Sequence, residues 1–120
     1  MSQIVVDGLL VRVDCDVEDG VKSPISLNLC LSGDEELKSS RLECYYYTIM
    51  GRKDDVLGIP LRDTSSDWIR DLARLCATMI TKKYNKPCYV TISTVGDNNF
   101  QASTIPLLAA VKEHVATLVN

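Results

Sequence analysis

Apolar and polar positions alternate by twos through the first half of the chain. They recur by threes and fours in two later stretches, so the sequence predicts strands, then helix, strand and helix. Leu9, Val11, Val13, Cys15 and Val17 alternate with Leu10, Arg12, Asp14 and Asp16, the pattern of a strand with one wet face. Asp19-Gly20 predicts a tight turn, because both central positions of a type I′ turn need positive φ. Ile25, Leu27, Leu29 and Leu31 then alternate with Ser26, Asn28, Cys30 and Ser32, so the two segments read as an antiparallel hairpin. Pro24 cannot donate to a ladder, and it marks the start of the second strand or a bulge in it. After a polar loop at Gly33-Asp34-Glu35-Glu36, Leu42 to Met50 reads as a strand rich in tyrosine. Val56 to Leu61, ending near Pro60, reads as a short one.

The clearest helix follows. Thr64-Ser65-Ser66-Asp67 matches a capping box, with Thr64 accepting from a free helix N–H and Asp67 reaching back. Trp68, Ile69, Leu72, Leu75, Cys76, Met79 and Ile80 fall on one side at helical spacing. Asp67, Arg70, Asp71, Arg74, Thr78, Thr81 and Lys82 fall on the other. Trp68 is expected to anchor the helix in the core, with its indole N–H in need of an acceptor. Tyr84-Asn85-Lys86-Pro87 breaks the helix. Cys88, Val90, Ile92 and Thr94 then alternate with Tyr89, Thr91 and Ser93 as a strand, and Gly96-Asp97-Asn98-Asn99 reads as a turn. Thr104 is expected to cap a last helix with Pro106 in its first turn. Its inner stripe is Leu108, Val111, Val115 and Leu118, with Glu113 and Thr117 outward. No regular β-α-β-α alternation exists, which disfavours a doubly wound parallel sheet. The predicted fold is α+β: one domain over residues 1–120, with a mostly antiparallel sheet of about five to six strands and two α-helices. If both helices cover one face of that sheet, the other face is open.

The open face supplies the candidate site. In Tyr45-Tyr46-Tyr47, alternation sends Tyr46 to one face and Tyr45 and Tyr47 to the other. With Tyr46 toward the helices, Tyr45, Tyr47 and Ile49 lie on the open face, where exposed aromatics often mark a protein interface. The competing reading is a half-wet strand whose tyrosine hydroxyls reach water.

Composition narrows the chemistry. A chain of 120 residues with 46% hydrophobic and 24% charged positions can bury a core without staples. The net charge is −3 with acids and bases mixed, and Lys82, Lys83 and Lys86 are too few for a nucleic-acid footprint. Cys15, Cys30, Cys44, Cys76 and Cys88 sit at long spacings with no Cys-x-x-Cys pair. They read as reduced, buried thiols of the cytosol or nucleus rather than a zinc or redox motif. The N-terminal residues lack a secretory pattern, and no apolar run is long enough for a bilayer, so no membrane partner is expected. Asp14-x-Asp16-x-Glu18 opens like a calcium loop, but Asp19 stands at the glycine position and Ile25 at the bidentate acid position. These acids read instead as solvated carboxylates on a strand. Asp63 to Ser66 likewise reads as a helix cap before an anion site. His114 is the single histidine; paired with a cysteine it would form a nucleophile–base couple, but it lies beside the apolar face of a helix. No catalytic, metal or cofactor site is expected, and a protein-interaction role outranks a small cysteine–histidine enzyme.

The second half of the chain resembles the proteasome assembly chaperone 4 family. The likeness begins at Asp63-Thr64-Ser65 and continues through Leu72-Ala73, Lys83-x-Asn85-Lys86 and Val90-x-x-Ser93. It closes at Asp97-x-Asn99-Phe100, leading into the last helix. The resemblance implies a chaperone rather than an enzyme. Such a chaperone pairs with a second small chaperone of related fold, binds an α-type subunit of the 20S proteasome and guides assembly of the α-ring. The alternative within the same fold reading is a roadblock- or profilin-like scaffold with unrelated partners.

Overall fold

The computed structural model describes residues 2–18, 20, 23–32, 41–95 and 102–119. They form strands β1 (Ser2–Val6), β2 (Leu9–Val17), β3 (Ile25–Ser32), β4 (Arg41–Met50) and β5 (Val56–Arg62), then α1 (Asp67–Tyr84), β6 (Cys88–Val95) and α2 (Thr104–Leu118). The expected α+β order of strands, helix, strand, helix is present. The six strands make one sheet in the order β1-β2-β3-β6-β4-β5. Every neighbouring pair is antiparallel except β3 and β6. That parallel pair arises because the chain leaves β3, forms β4 and β5, crosses over through α1 and inserts β6 between β3 and β4. A crossover of that kind is what a parallel pairing requires.

One strand escaped the sequence reading. Ile4, Val5 and Val6 belong to β1, which pairs with β2 around Asp7-Gly8. Asp7 has φ 52° and Gly8 φ 80°, the double positive φ of a type I′ turn. The dipeptide rule that the sequence reading applied to Asp19-Gly20 is thus met at Asp7-Gly8. Asp19, the loop at Gly33 to Glu36 and the turn at Gly96 to Asn99 lie outside the described residues.

Both helices cover the same face of the sheet, α1 over β4, β6 and the β5 edge, and α2 over β1 and β2. Leu9, Val11 and Val13 of β2, Ile25, Leu27, Leu29 and Leu31 of β3 and Cys88, Val90 and Ile92 of β6 point into this layer and are buried. The period-2 pattern thus gave each inward set correctly. The inward stripe of α1 is rotated from expectation: Ala73, Ala77 and Thr81 are buried with Ile69, Leu72, Cys76 and Ile80. Leu75 and Met79 are only half-buried at its flank. The two alanines keep the helix surface low where it meets β4. There the Thr48 hydroxyl donates to the Ala77 carbonyl at 3.0 Å and shares a 2.7 Å hydrogen bond with the Thr81 hydroxyl. Thr81, expected outward, is buried because its polar atom has that partner. Trp68 is half-buried against the core, and its Nε1 is covered without an acceptor among the described residues. In α2 the inner stripe is Leu107, Val111 and Val115, while Leu118 stays 45% exposed.

The helix starts also differ from expectation. Ser66, not Thr64, is the N-cap of α1, and its Oγ accepts from the Ile69 N–H at 3.3 Å. Thr64 sits two residues earlier, and its Oγ1 accepts from the Ser66 N–H at 3.2 Å. Asp67, expected to close a capping box, instead accepts from Arg70 at 3.0 Å. In α2 the cap is Ser103 rather than Thr104. The Ser103 hydroxyl donates to Asp7 Oδ2 at 2.7 Å, and its N–H donates to the same oxygen at 2.8 Å. Pro106 falls in the first turn, where a missing N–H costs nothing.

The Asp7–Ser103 contact ties the β1–β2 turn to the start of α2. The two hydrogen bonds from Ser103 hold the Asp7 carboxyl below its usual value of 3.8. A lowered folded-state pKa contributes stability above 3.8 that is lost as pH falls through the folded value. Asp7→Asn keeps a side chain tolerant of positive φ but removes the charge. The variant is expected to melt below the wild type at pH 7, with the gap closing as pH drops below 3.8. A gap that stays constant with pH would show that the carboxylate charge contributes nothing there.

A second packing detail fixes the β5 edge. A methyl group at Gly58 would lie 2.5 Å from the Tyr46 hydroxyl and 2.7 Å from its ring Cε1, because the ring crosses β5 at this point. Gly58→Ala is expected to force that ring aside and destabilise the fold by about 1–3 kcal/mol. Urea unfolding measures this, and an unchanged midpoint would mean the ring moves freely.

Candidate partner-binding face

Alternation along β4 sets the site. Cys44, Tyr46 and Thr48 point into the helix layer and are buried, whereas Tyr45 and Tyr47 are half-buried and Ile49 is 39% exposed on the opposite face. The sequence reading of all three candidates is thus correct in placement. No helix covers this opposite face among the described residues.

The neighbours of β4 extend the patch. Tyr47 pairs with Tyr89 of β6, and their rings lie 4.6 Å apart between centroids at 34°. Tyr45 reaches the same ring at 6.0 Å and 56°. On the other side Tyr47 pairs with Ile59 and Ile49 with Leu57 of β5, and these two side chains are 54% and 56% exposed. Laterally paired residues share a face. The result is a contiguous aromatic and aliphatic surface at the β5 end of the sheet. Tyr89, Leu57 and Ile59 were missed as site residues. Their outward phase was readable, but the adjacency of β6 to β4 was not. Pro60 lies in β5 at the sheet edge, the position where a strand tolerates a residue without an N–H.

The same face turns polar toward β2. Arg12, Asp14, Asn28, Cys30, Thr91 and Ser93 line a shallow hollow of about 360 Å³. The Thr91 hydroxyl donates to Asn28 Oδ1 across β6 and β3.

The motif residues behind the family resemblance occupy other ground. Asp63 Oδ1 accepts from Arg70 Nε at 2.7 Å and from the Thr64 N–H at 2.8 Å, contacts that hold its carboxyl below the usual range. Asn85 adopts the left-handed conformation at φ 53°, ψ 44° and closes α1, its N–H donating to the Thr81 carbonyl at 2.8 Å. Lys83 Nζ sits 5.5 Å from the Tyr84 ring centroid. Ser65 is exposed and Lys86 half-buried. Asp63, Thr64, Lys83 and Asn85 therefore build the two ends of α1, on the helix side of the sheet. Asp97, Asn99 and Phe100 lie outside the described residues.

Four of the thiols, Cys15, Cys44, Cys76 and Cys88, are poorly suited to nucleophilic work. Burial raises Cys76 to about 12, and burial with Asp14 and Asp16 nearby raises Cys15 to about 11. Burial pushes Cys44 and Cys88 upward as well. A thiol so raised stays protonated at neutral pH. His114 is on α2, and among the described residues its side chain forms no hydrogen bond with a cysteine. No group of three potential metal ligands comes together among the described residues.

Comparison with known proteins agrees with this architecture. Over 85 residues the chain is 45% identical to Proteasome chaperone 4 of Saccharomyces cerevisiae, an alignment covering 62% of this chain and 57% of the yeast protein. The alignment thus spans little more than half the length of that relative. A chain in the crystal structure of a chaperone complex for yeast 20S proteasome assembly superposes with a TM-score of 0.62 at 32% identity, covering 90% of this chain and 94% of that one. The family model of the 20S proteasome chaperone assembly proteins 3 and 4 matches residues 2–116. The resemblance first read from the motifs of the second half thus extends over nearly the whole chain, which belongs to the family of 20S proteasome chaperone assembly proteins 3 and 4.

Proposed function

We propose that this chain is a proteasome assembly chaperone subunit. It pairs with a second small chaperone of related fold, and the pair binds a 20S α-type subunit to promote assembly of the α-ring. The family match over residues 2–116 carries this reading, and the likeness to a chain from a yeast assembly-chaperone complex supports it. It also favours this role over a roadblock- or profilin-like scaffold with unrelated partners.

The open sheet face is the surface we assign to the sibling chaperone. Tyr45, Tyr47 and Ile49, with Tyr89 beside them, offer the apolar centre that a sheet-on-sheet contact buries. Release before the particle matures requires modest affinity or displacement by a later subunit. The role needs no catalytic residue and no cofactor, and it places the chain where proteasomes assemble, in the cytoplasm and nucleus.

A tagged pull-down from its own cells, read by mass spectrometry, tests the role. The reading predicts recovery of a second small chaperone together with proteasome α-type subunits. Recovery of an unrelated complex, with no proteasome subunit above background, would contradict it.

A further inference from the structure

The row of Val13, Leu29, Ile92 and Cys44 crosses the sheet with its side chains buried on the helix side, so on the open face it shows only backbone. On one side of it stand Arg12, Cys30, Ser93 and Leu42, and on the other Asp14, Asn28, Thr91 and Tyr45. Arg12 and Asp14 therefore flank Val13 on the same face of β2, and they do not pair with each other. Among the described residues neither forms an ion pair, and Arg12 Nε is covered without an acceptor. Asp14 is exposed. A covered charged donor without a partner is costly, so the hydrogen bonding of this arginine is incomplete in the lone chain.

A second copy of the chain completes it. Two copies stacked face to face are related by a two-fold axis lying between the sheets. An axis running across the strands at the level of Val13 keeps the strand order and reverses the strand direction. It lays β2 antiparallel over β2, with Arg12 of each copy over Asp14 of the other. The same operation sets Asn28 over Cys30, Thr91 over Ser93 and Tyr45 over Leu42. One row further out it sets Tyr89 over Val95, since Tyr89 shares its row with Ser26 and Val95 shares its row with Ser32. Both charges are thus paired on the β2 side, and apolar groups meet on the β6 and β4 side. Asp16 meets Leu10 at the end of β2, where it stays exposed to water. Aligned sheets cross at about 30°, and the long arginine side chain absorbs the offset this gives over β2. An axis running along the strands instead lays β2 over β4, setting Asp14 over Tyr45 without a counter-ion, which is penalised.

We propose that this chain pairs with a second copy of itself through the open face, in the antiparallel register centred on Val13. Two symmetric Arg12–Asp14 ion pairs fix that register, and the tyrosines supply the burial. The self-pair covers the aromatic surface of the free chain. It also occupies the face assigned above to the sibling chaperone, so self-pair and mixed pair exclude one another. That last step rests on the sibling assignment; the self-pairing does not.

Sedimentation equilibrium on the purified chain alone, over roughly 1–100 μM, tests this. The wild type is expected to dimerise within that range. Arg12→Asp and Asp14→Arg are each expected to self-associate at least about tenfold more weakly, because each opposes like charges across the two-fold. Mixed in equal amounts, the two variants are expected to dimerise with each other at near wild-type strength, because Asp at 12 then faces Arg at 14 and Asp14 faces Arg12. A purely structural role for either residue would give no such rescue. Circular dichroism confirms that each variant is folded. A wild type that stays monomeric at the highest concentration overturns the proposal, and so does a mixture that stays monomeric. Adding the small chaperone recovered in the pull-down is expected to convert the self-pair into a mixed pair. A sibling that binds the intact self-pair would move the sibling to another surface and leave the self-pairing standing.

Discussion

Replacing both Tyr45 and Tyr47 with serine is expected to weaken sibling binding by roughly 30- to 1,000-fold, equivalent to about 2–4 kcal/mol, while leaving the circular dichroism unchanged. Central aromatic residues dominate the energetics of most interfaces because they bury much area for few frozen torsions. Tyr47 stacks at 4.6 Å on Tyr89, so its ring is held in place before any partner arrives. Such preorganisation lowers the entropic cost of association. The fold should survive, because the core ring of this triplet is Tyr46, which neither substitution touches. Full-strength binding by the double variant would remove this face from the account.

Leu72→Ala is expected to destabilise the chain by about 2–5 kcal/mol, because it removes a buried side chain and leaves a cavity. Leu72 is 1% exposed and projects from α1 into the layer between helix and sheet. Its neighbours on that stripe, Ala73 and Ala77, are already small, so little can close the gap. Domains of this size hold only about 5–15 kcal/mol in total, so the loss should shift the urea midpoint substantially. Binding, measured well below the melting point, should be nearly unchanged, because the open face lies on the far side of the sheet. The two variants thus separate cleanly: the tyrosine pair loses partner and keeps fold, and Leu72→Ala loses stability and keeps partner. A Leu72→Ala protein that melts like the wild type would show that α1 is not packed as described.

What the sequence made legible follows from which signals are local. Alternation is local, so the inward sets of β2, β3, β4 and β6 and the outward phase of Tyr45, Tyr47 and Ile49 were all readable. Adjacency is not local. Nothing in the run from Cys88 to Val95 states that it will insert between β3 and β4, so Tyr89 was not recognised as the partner of Tyr47. Helix facing was readable for Ile69, Leu72, Cys76 and Ile80 but not for Ala73, Ala77 and Thr81. Thr81, read as outward, turned inward because Thr48 offers its hydroxyl a partner on a strand far away in sequence. The same applies to the caps. Thr64 and Ser66 both satisfy the cap chemistry, Ser66 is the one used, and Arg70 ties Asp63 and Asp67 together around it. The family motif was informative for a structural reason: Asp63, Thr64 and Asn85 define the ends of α1 and so identify the fold. They carry no information on the open face, which is on the other side of the sheet.

The most direct test places a photo-reactive benzoylphenylalanine at Tyr47 on the open face and, in a separate protein, at Glu113 on the exposed side of α2. After irradiation of the purified complex, the account predicts a covalent adduct with the sibling chaperone from position 47 and none from position 113. Adducts to the sibling from position 113 alone would place it on the helix side and contradict the account.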